Sequence, residues 1–197
     1  INLRASYELN LNRLDQTAVI MNKFKKAFTE EFVDIVVVLG DTNTALAASI
    51  IARRLHLTLA HIEAGLRSYD WRMQEEHNRV MIDHISDFKF APTSIAVNNL
   101  IRENIQKTSI YLTGNTIVDA VQQNLSLAYK KSKILNKLDL KQKFILVTSH
   151  RPENVDDPQR LSSIINGISR IAENFEHKVV FPAHPRTLKR LSEFNIK

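Results

Sequence analysis

V-V-V-L-G-D-T-N-T (Val36–Thr44), A-H-I-E-A-G-L-R-S (Ala60–Ser68) and Q-E-E-H-N-R (Gln74–Arg79) decide the reading of this chain. The first apolar run ends in Gly40-Asp41-Thr42, the second in His61-Ile62-Glu63-Ala64-Gly65, and a helical pattern then opens with Glu75-Glu76. If both runs are parallel strands, Asp41, Glu63 and the Glu75-Glu76 pair fall beyond the carboxyl ends of strands, where α/β sheets build their sites.

Working outward, strand and helix patterns alternate. Leu14, Ala18, Met21, Phe24, Phe28 and Phe32 recur three or four apart, an amphipathic helix. Val33–Leu39 is short, β-branched and nearly unbroken, which predicts a strand buried on both faces. Helices are expected at 42–55, 75–85, 94–104 and 116–127, with strands at 57–62, 88–91 and 109–112. A lysine-rich stretch follows, then a strand at 144–147, a helix at 158–174, a strand at 178–181 and a helix at 186–194. Residues 1–10 show no clear period. Continuous alternation predicts an α/β class with parallel sheets. The expected division is a first domain over 1–128, a connection over 129–143, and the start of a second domain over 144–197.

Composition narrows the function. The chain has 197 residues, 44% of them hydrophobic, and no cysteine, so disulfides and thiolate metal sites are excluded. No window approaches the roughly 18 uninterrupted apolar residues of a membrane span, and no signal peptide opens the chain; a cytoplasmic enzyme is the expectation. Beginning at Ile1, the sequence reads as a piece of something longer. The net charge of +6 is largely local. Between Tyr129 and Lys143 stand Lys130, Lys131, Lys133, Lys137, Lys141 and Lys143 against Asp139, with no aromatic interleaving. That is a solvated helix face and gives no nucleic-acid surface.

Three of the four glycines, Gly40, Gly65 and Gly114, follow predicted strands. There is no G-x-G-x-x-G and no P-loop. Asp41 suits a helix cap as well as a catalytic role. Glu63, at the end of an apolar strand, needs a partner or a task. Glu75 and Glu76 suit the first turn of a helix, and Glu75 could pair with Arg79 four residues on. His150, trailed by Arg151, and His184 each follow a predicted strand in the later part, a placement suited to phosphate binding or proton transfer. No histidine spacing suggests a metal.

The runs G-D-T-N-T (40–44), H-I-E-A-G-L-R-S (61–68), E-E-H-N-R (75–79), T-G-N-T-I-V-D-A (113–120) and S-H-R-P-E-N (149–154) resemble the non-hydrolysing UDP-N-acetylglucosamine 2-epimerases, in that family's order. The resemblance implies two Rossmann-like domains facing across a cleft, as in GT-B glycosyltransferases, with only part of that architecture present. The opening G-T-R-P-E-type motif and the later part of the second domain are missing. It also implies interconversion of UDP-N-acetylglucosamine and UDP-N-acetylmannosamine, through elimination of UDP to a 2-acetamidoglucal and its re-addition. Such chemistry needs a base, a proton donor on the other face and positive charge for the diphosphate, with no cofactor, metal or nicotinamide.

Carried over by motif, Asp41, Glu63 and Glu75 resemble the family's catalytic carboxylates and His150 its catalytic histidine. Arg67, Arg79, Arg151 and His184 are substrate-binding candidates by the same resemblance. The implied partners are a UDP-sugar and, in the complete protein, a second copy in a homodimer, with no nucleic acid and no membrane. Two departures flank Glu75: Gln74 where relatives usually carry proline, and His77 where a small or apolar residue is usual. The family's activating second UDP-N-acetylglucosamine site would lie largely in the missing N-terminal part. Alternatives are a 2-epimerase of another UDP-acetamido sugar, such as a diacetamido-uronic acid, or a nucleotide-sugar-binding fragment without catalysis. Half a second sheet would leave apolar faces uncovered, so the chain alone is expected to be poorly stable and inactive.

Overall fold

The computed structural model describes residues 13–140, 142–175 and 177–196; Lys141 and residues 1–10 lie outside them. Two compact units divide the chain, Ile1–Asn124 and Leu125–Lys197.

The first unit is a four-stranded parallel sheet in the order β1 (Ile35–Leu39), β2 (Thr58–Ile62), β3 (Phe88–Ala91) and β4 (Ile110–Leu112). Helices α1 (Arg13–Glu30), α2 (Asn43–Arg54), α3 (Gln74–Ile85) and α4 (Ser94–Arg102) accompany it. The expected elements are present, with ends shifted by one to a few residues. Thr42 caps α2 by accepting the Ala45 N–H at 3.1 Å, and Thr93 caps α4 the same way through Ala96. The alanines of α2 let it lie close to the sheet. Ala45, Ala48 and Ala52 form one apolar cluster with Phe24 of α1, Val36 and Val38 of β1, Leu59 of β2 and Ile82 of α3. A second cluster sets Ala96 and Leu100 of α4 against Ala91 of β3.

One expectation is corrected here. β1 is buried on a single face: Val36 and Val38 are buried, whereas Ile35 and Leu39 are exposed and Val37 is 55% exposed. The reason is topological. Right-handed crossovers between strands added in one direction place successive helices on the same side of a sheet. The opposite side of β1 therefore has no helix over it among the described residues.

The second unit holds α6 (Ile134–Lys137), β5 (Phe144–Leu146), α7 (Pro152–Val155), α8 (Pro158–Asn174), β6 (Lys178–Val180) and α9 (Pro185–Glu193), while α5 (Thr116–Lys131) runs across the division. β5 and β6 pair in parallel, with Phe144 opposite Lys178 and Leu146 opposite Val180. α6, a single turn, falls within the lysine-rich connection read as helical, and α7, also a single turn, has no counterpart in the sequence reading. Leu146, Phe175 and Leu188 are exposed, as expected of a small sheet with little covering it.

Ladder bonding carries on past the strand ends. Gly40 N donates to Ile62 O and Ala64 N to Phe90 O, each at 3.1 Å, so the ladder extends into the loops after β1 and β2. Gly65 has φ +80°, and a Cβ built on it would lie 2.3 Å from the Ala96 carbonyl oxygen. Glycine is required for both reasons. Gly65→Ala is expected to destabilise the fold by roughly 3 kcal/mol or more, read from the urea midpoint; a loss under about 1 kcal/mol would show that α4 can retreat.

Candidate active site

Asp41 does not cap α2, since Thr42 does. Its Oδ2 instead accepts Nε and Nη2 of Arg79 at 3.1 and 2.6 Å. Asn78 donates to the Asp41 carbonyl at 2.8 Å and to Asn43 Oδ1 at 3.1 Å, so α3 pins the whole loop after β1. The expected Glu75–Arg79 pair is not formed. Arg79 bridges Asp41 and Glu76, the latter at 2.5 Å.

Glu76 is the carboxylate that sequence reasoning left among ordinary first-turn acids. It is 1% exposed and accepts the Ser68 N–H, the Ser68 hydroxyl and the Tyr69 N–H, each at 2.9 Å. Burial alone would push its pKa up. The Ser68 and Tyr69 N–H groups, with the Ser68 hydroxyl and Arg79, hold it below its ordinary value of 4.5. The doublet Glu75-Glu76 was visible in the sequence, but the helical phase that turns one inward depends on where the loop at 68–69 passes.

Glu63 has φ +70°, an unusual backbone for a residue with a side chain. It is half-buried, and its Oε2 lies 3.5 Å from the point a Cβ on Gly40 would occupy. It has no hydrogen-bond partner among the described residues. Glu75 is exposed in the first turn of α3, also without a partner among them. Asp41 and Glu63 thus share one edge of the sheet at the ends of adjacent strands. The first is held by a cation and the second is not.

Arg67 requires a correction as a substrate-binding candidate. Its Nε and Nη2 donate to the two oxygens of Glu103 at 2.6 Å each, and its Nη1 donates to Asp83 Oδ2 at 2.7 Å. Its side chain is 1% exposed, so it is a buried cross-link and presents no charge to an open site. Burial works against its charge, but Glu103 and Asp83 outweigh burial and raise its pKa above the ordinary arginine value. Glu103 lies 36 residues away, beyond any local spacing signal.

In the second unit, the parallel pairing of β5 and β6 brings together the loops that follow them. The His150 and His184 rings have centroids 6.0 Å apart, and both residues are exposed. Thr187 donates to the Ser149 carbonyl at 2.9 Å, tying the start of α9 to the other loop. His184 Nδ1 caps α9 by accepting the Arg186 N–H at 3.1 Å, which leaves the ring proton on Nε2. Arg151 is exposed at the N-terminus of α7. Arg186 and Arg190 both pair with Asp156, and their guanidiniums keep that carboxyl below the usual range.

Asp41 and Glu63, from the first two motifs, thus lie at the ends of adjacent parallel strands, and His150, from the last motif, follows a strand of another parallel pair. The family model described as UDP-N-acetylglucosamine 2-epimerase matches residues 2–197. The chain belongs to this family. A UDP-N-acetylglucosamine 2-epimerase of Methanocaldococcus jannaschii is 46% identical over 196 residues, covering 96% of this chain and 54% of the relative. A UDP-2,3-diacetamido-2,3-dideoxy-D-glucuronate 2-epimerase of Pseudomonas aeruginosa is 40% identical over 162 residues, covering 82% of this chain and 45% of that protein. The solved M. jannaschii epimerase in complex with UDP-GlcNAc and UDP superimposes with a TM-score of 0.85 at 47% identity, over 92% of this chain and 51% of that one. The Neisseria meningitidis epimerase bound to UDP-GlcNAc gives 0.83 at 31% identity, over 94% of this chain and 52% of that one. The chain thus spans about half the length of these epimerases. No helix among the described residues is long and apolar enough to cross a membrane.

Of the two departures from the epimerase pattern, His77 has a visible use. Its Nε2 donates to the Trp71 carbonyl at 2.6 Å, and its ring meets the exposed Trp71 edge-on at 5.2 Å. The loop before α3 is therefore clasped at His77 and at Glu76. Because the folded pKa of Glu76 lies below its unfolded value, its stabilisation is complete above about pH 4.5 and is lost as pH falls through the folded value. Glu76→Gln is expected to cost about 2 kcal/mol near neutral pH and to flatten the acid limb of the stability profile in urea titrations. An unchanged acid limb would show that Glu76 does not titrate differently in the folded state.

Proposed function

We propose that this chain is part of a UDP-N-acetylglucosamine 2-epimerase that interconverts UDP-N-acetylglucosamine and UDP-N-acetylmannosamine. The observation that carries this reading is the match to the M. jannaschii epimerase and to its complex with UDP-GlcNAc and UDP. In the forward direction a base takes the C2 proton and the C–H electrons form the C1=C2 double bond. The C1–O bond breaks, and UDP leaves with that electron pair. UDP then adds back to C1 as a proton reaches C2 from the opposite face, giving the epimer.

Asp41, Glu63 and Glu75 are the proposed proton-handling carboxylates, and Glu63 is the first choice. Proton transfer requires a group able to bind and release a proton in place. Asp41 has its charge committed to Arg79, so its proposed part is electrostatic. Arg79 is proposed to hold that carboxylate, with Nε and Nη2 on Asp41 and Nη1 on Glu76. His150, with Arg151 and the Nε2–H of His184, is proposed to supply donors and positive charge to the diphosphate as its bridging oxygen takes up charge. The proposed setting is the cytoplasm, where a nucleotide sugar is available, and the proposed assembly of the full-length protein is a homodimer.

The similarity to the diacetamido-glucuronate epimerase favours a second reading in which the mechanism stands and the sugar differs. Proton NMR of the full-length protein with UDP-N-acetylglucosamine in heavy water is expected to show deuterium entering C2 while the mannosamine epimer grows in. Turnover only of the diacetamido-uronic acid substrate would select the second reading. Glu63→Gln is expected to lower turnover by at least about 10²-fold with the fold retained. Full activity in that variant would remove Glu63 from the chemistry.

A further inference from the structure

His61 stands in β2 with no exposed surface, and the sheet register places it between Val38 and Lys89. Its Nδ1 is 2.7 Å from Asp83 Oδ1, and its Nε2 is 3.0 Å from the Gly40 carbonyl oxygen. Each ring nitrogen thus faces an oxygen able to accept a hydrogen bond. The second oxygen of Asp83 accepts the Gly65 N–H at 3.1 Å and Arg67 Nη1 at 2.7 Å, and Arg67 ends on Glu103. A continuous buried path thus runs from the Gly40 carbonyl through His61 and Asp83 to the Gly65 amide.

The two ends of that path matter. Gly40 immediately precedes Asp41, and Gly65 lies two residues after Glu63. Between the anchors Glu63 keeps its left-handed backbone at φ +70°, with its carboxylate over Gly40. A residue in so sparsely populated a conformation persists only where its surroundings over-determine it. Stability alone does not account for the arrangement, because well-packed apolar residues often replace buried polar or charged groups at no cost. What the pair supplies and an apolar pair would not is direction: two hydrogen bonds aimed at the backbones flanking two carboxylates.

We propose that His61 and Asp83 are positioning residues that fix Glu63 and the Gly40-Asp41 turn relative to each other for proton transfer. The kinetic form of this inference rests on the epimerase reading. It is tested in the full-length protein with His61→Leu, His61→Gln and Asp83→Asn, measuring kcat and KM for UDP-N-acetylglucosamine, thermal melts and a crystal structure of each variant. His61→Leu is expected to melt cooperatively, to lose about 10²-fold in kcat with KM little changed, and to show Glu63 displaced. His61→Gln keeps an amide donor for the Gly40 carbonyl and is expected to recover part of the loss. Wild-type kcat in His61→Leu and Asp83→Asn would overturn the proposal and leave the epimerase reading intact. Loss of the fold in both would also overturn it, in favour of a purely structural pair. A wild-type protein inactive on the UDP-sugar, with Glu63 still displaced in the variants, would remove the epimerase reading and sustain the positioning role.

Discussion

A strand that must return to a parallel neighbour does so through a right-handed crossover, and in the first unit this happens three times in the same direction, giving the order β1-β2-β3-β4. Two consequences follow from that one constraint. The helices gather on the face carrying Val36, Val38 and Leu59, which leaves Ile35, Val37 and Leu39 open on the other. Every strand also points its carboxyl end toward one edge, so Gly40-Asp41 and Glu63-Ala64-Gly65 arrive side by side without any attraction between them. Like charges are brought together by backbone topology, and the rest of the site is an answer to that.

The answer is a pair of arginines, each set between two carboxylates. Arg79 joins Asp41 to Glu76, and Arg67 joins Asp83 to Glu103. The pairs differ in depth: Arg67 is almost wholly enclosed, while Arg79 keeps some contact with solvent. At depth the strong hydrogen bonds offset desolvation and serve mainly to fix geometry. Nearer the surface the same arrangement fixes the direction of the Asp41 carboxylate. Glu63 lies outside both pairs, as exposed Glu75 does, which distinguishes these two from Asp41, Glu76, Asp83 and Glu103.

Much of this was legible in the sequence, because it depends on local period. Strand runs of four to seven apolar residues and helical repeats predicted the alternating elements, and the glycines after the strands marked the site edge. What was not legible depends on contacts far apart in the chain. Val33–Leu39 looks the same with one face covered or two, since its composition does not record where neighbouring helices fall. Glu75 and Glu76 are adjacent and chemically identical, yet the Ser68 and Tyr69 amides take one and leave the other at the surface. Arg67 reads as a cleft residue until Glu103 is placed beside it. The motif-based resemblance reached the family, but it carried Arg67 along with residues of different standing.

Glu63 shows why such a site resists reading from propensity. A glutamate at the end of a strand would ordinarily stay extended, and its charge would find a lysine or arginine. Here the chain has both nearby arginines occupied and a left-handed turn imposed at that residue. Holding it there requires bonds on either side that the residue itself does not make: Gly40 N to Ile62 O before it, and Ala64 N to Phe90 O after it. Those ladder bonds brace the backbone on either side, and the Glu63 carboxylate is left half-buried with no hydrogen-bond partner among the described residues. Local preferences and global fold disagree at this position, and disagreement of that kind is expected where structure has been shaped by chemistry.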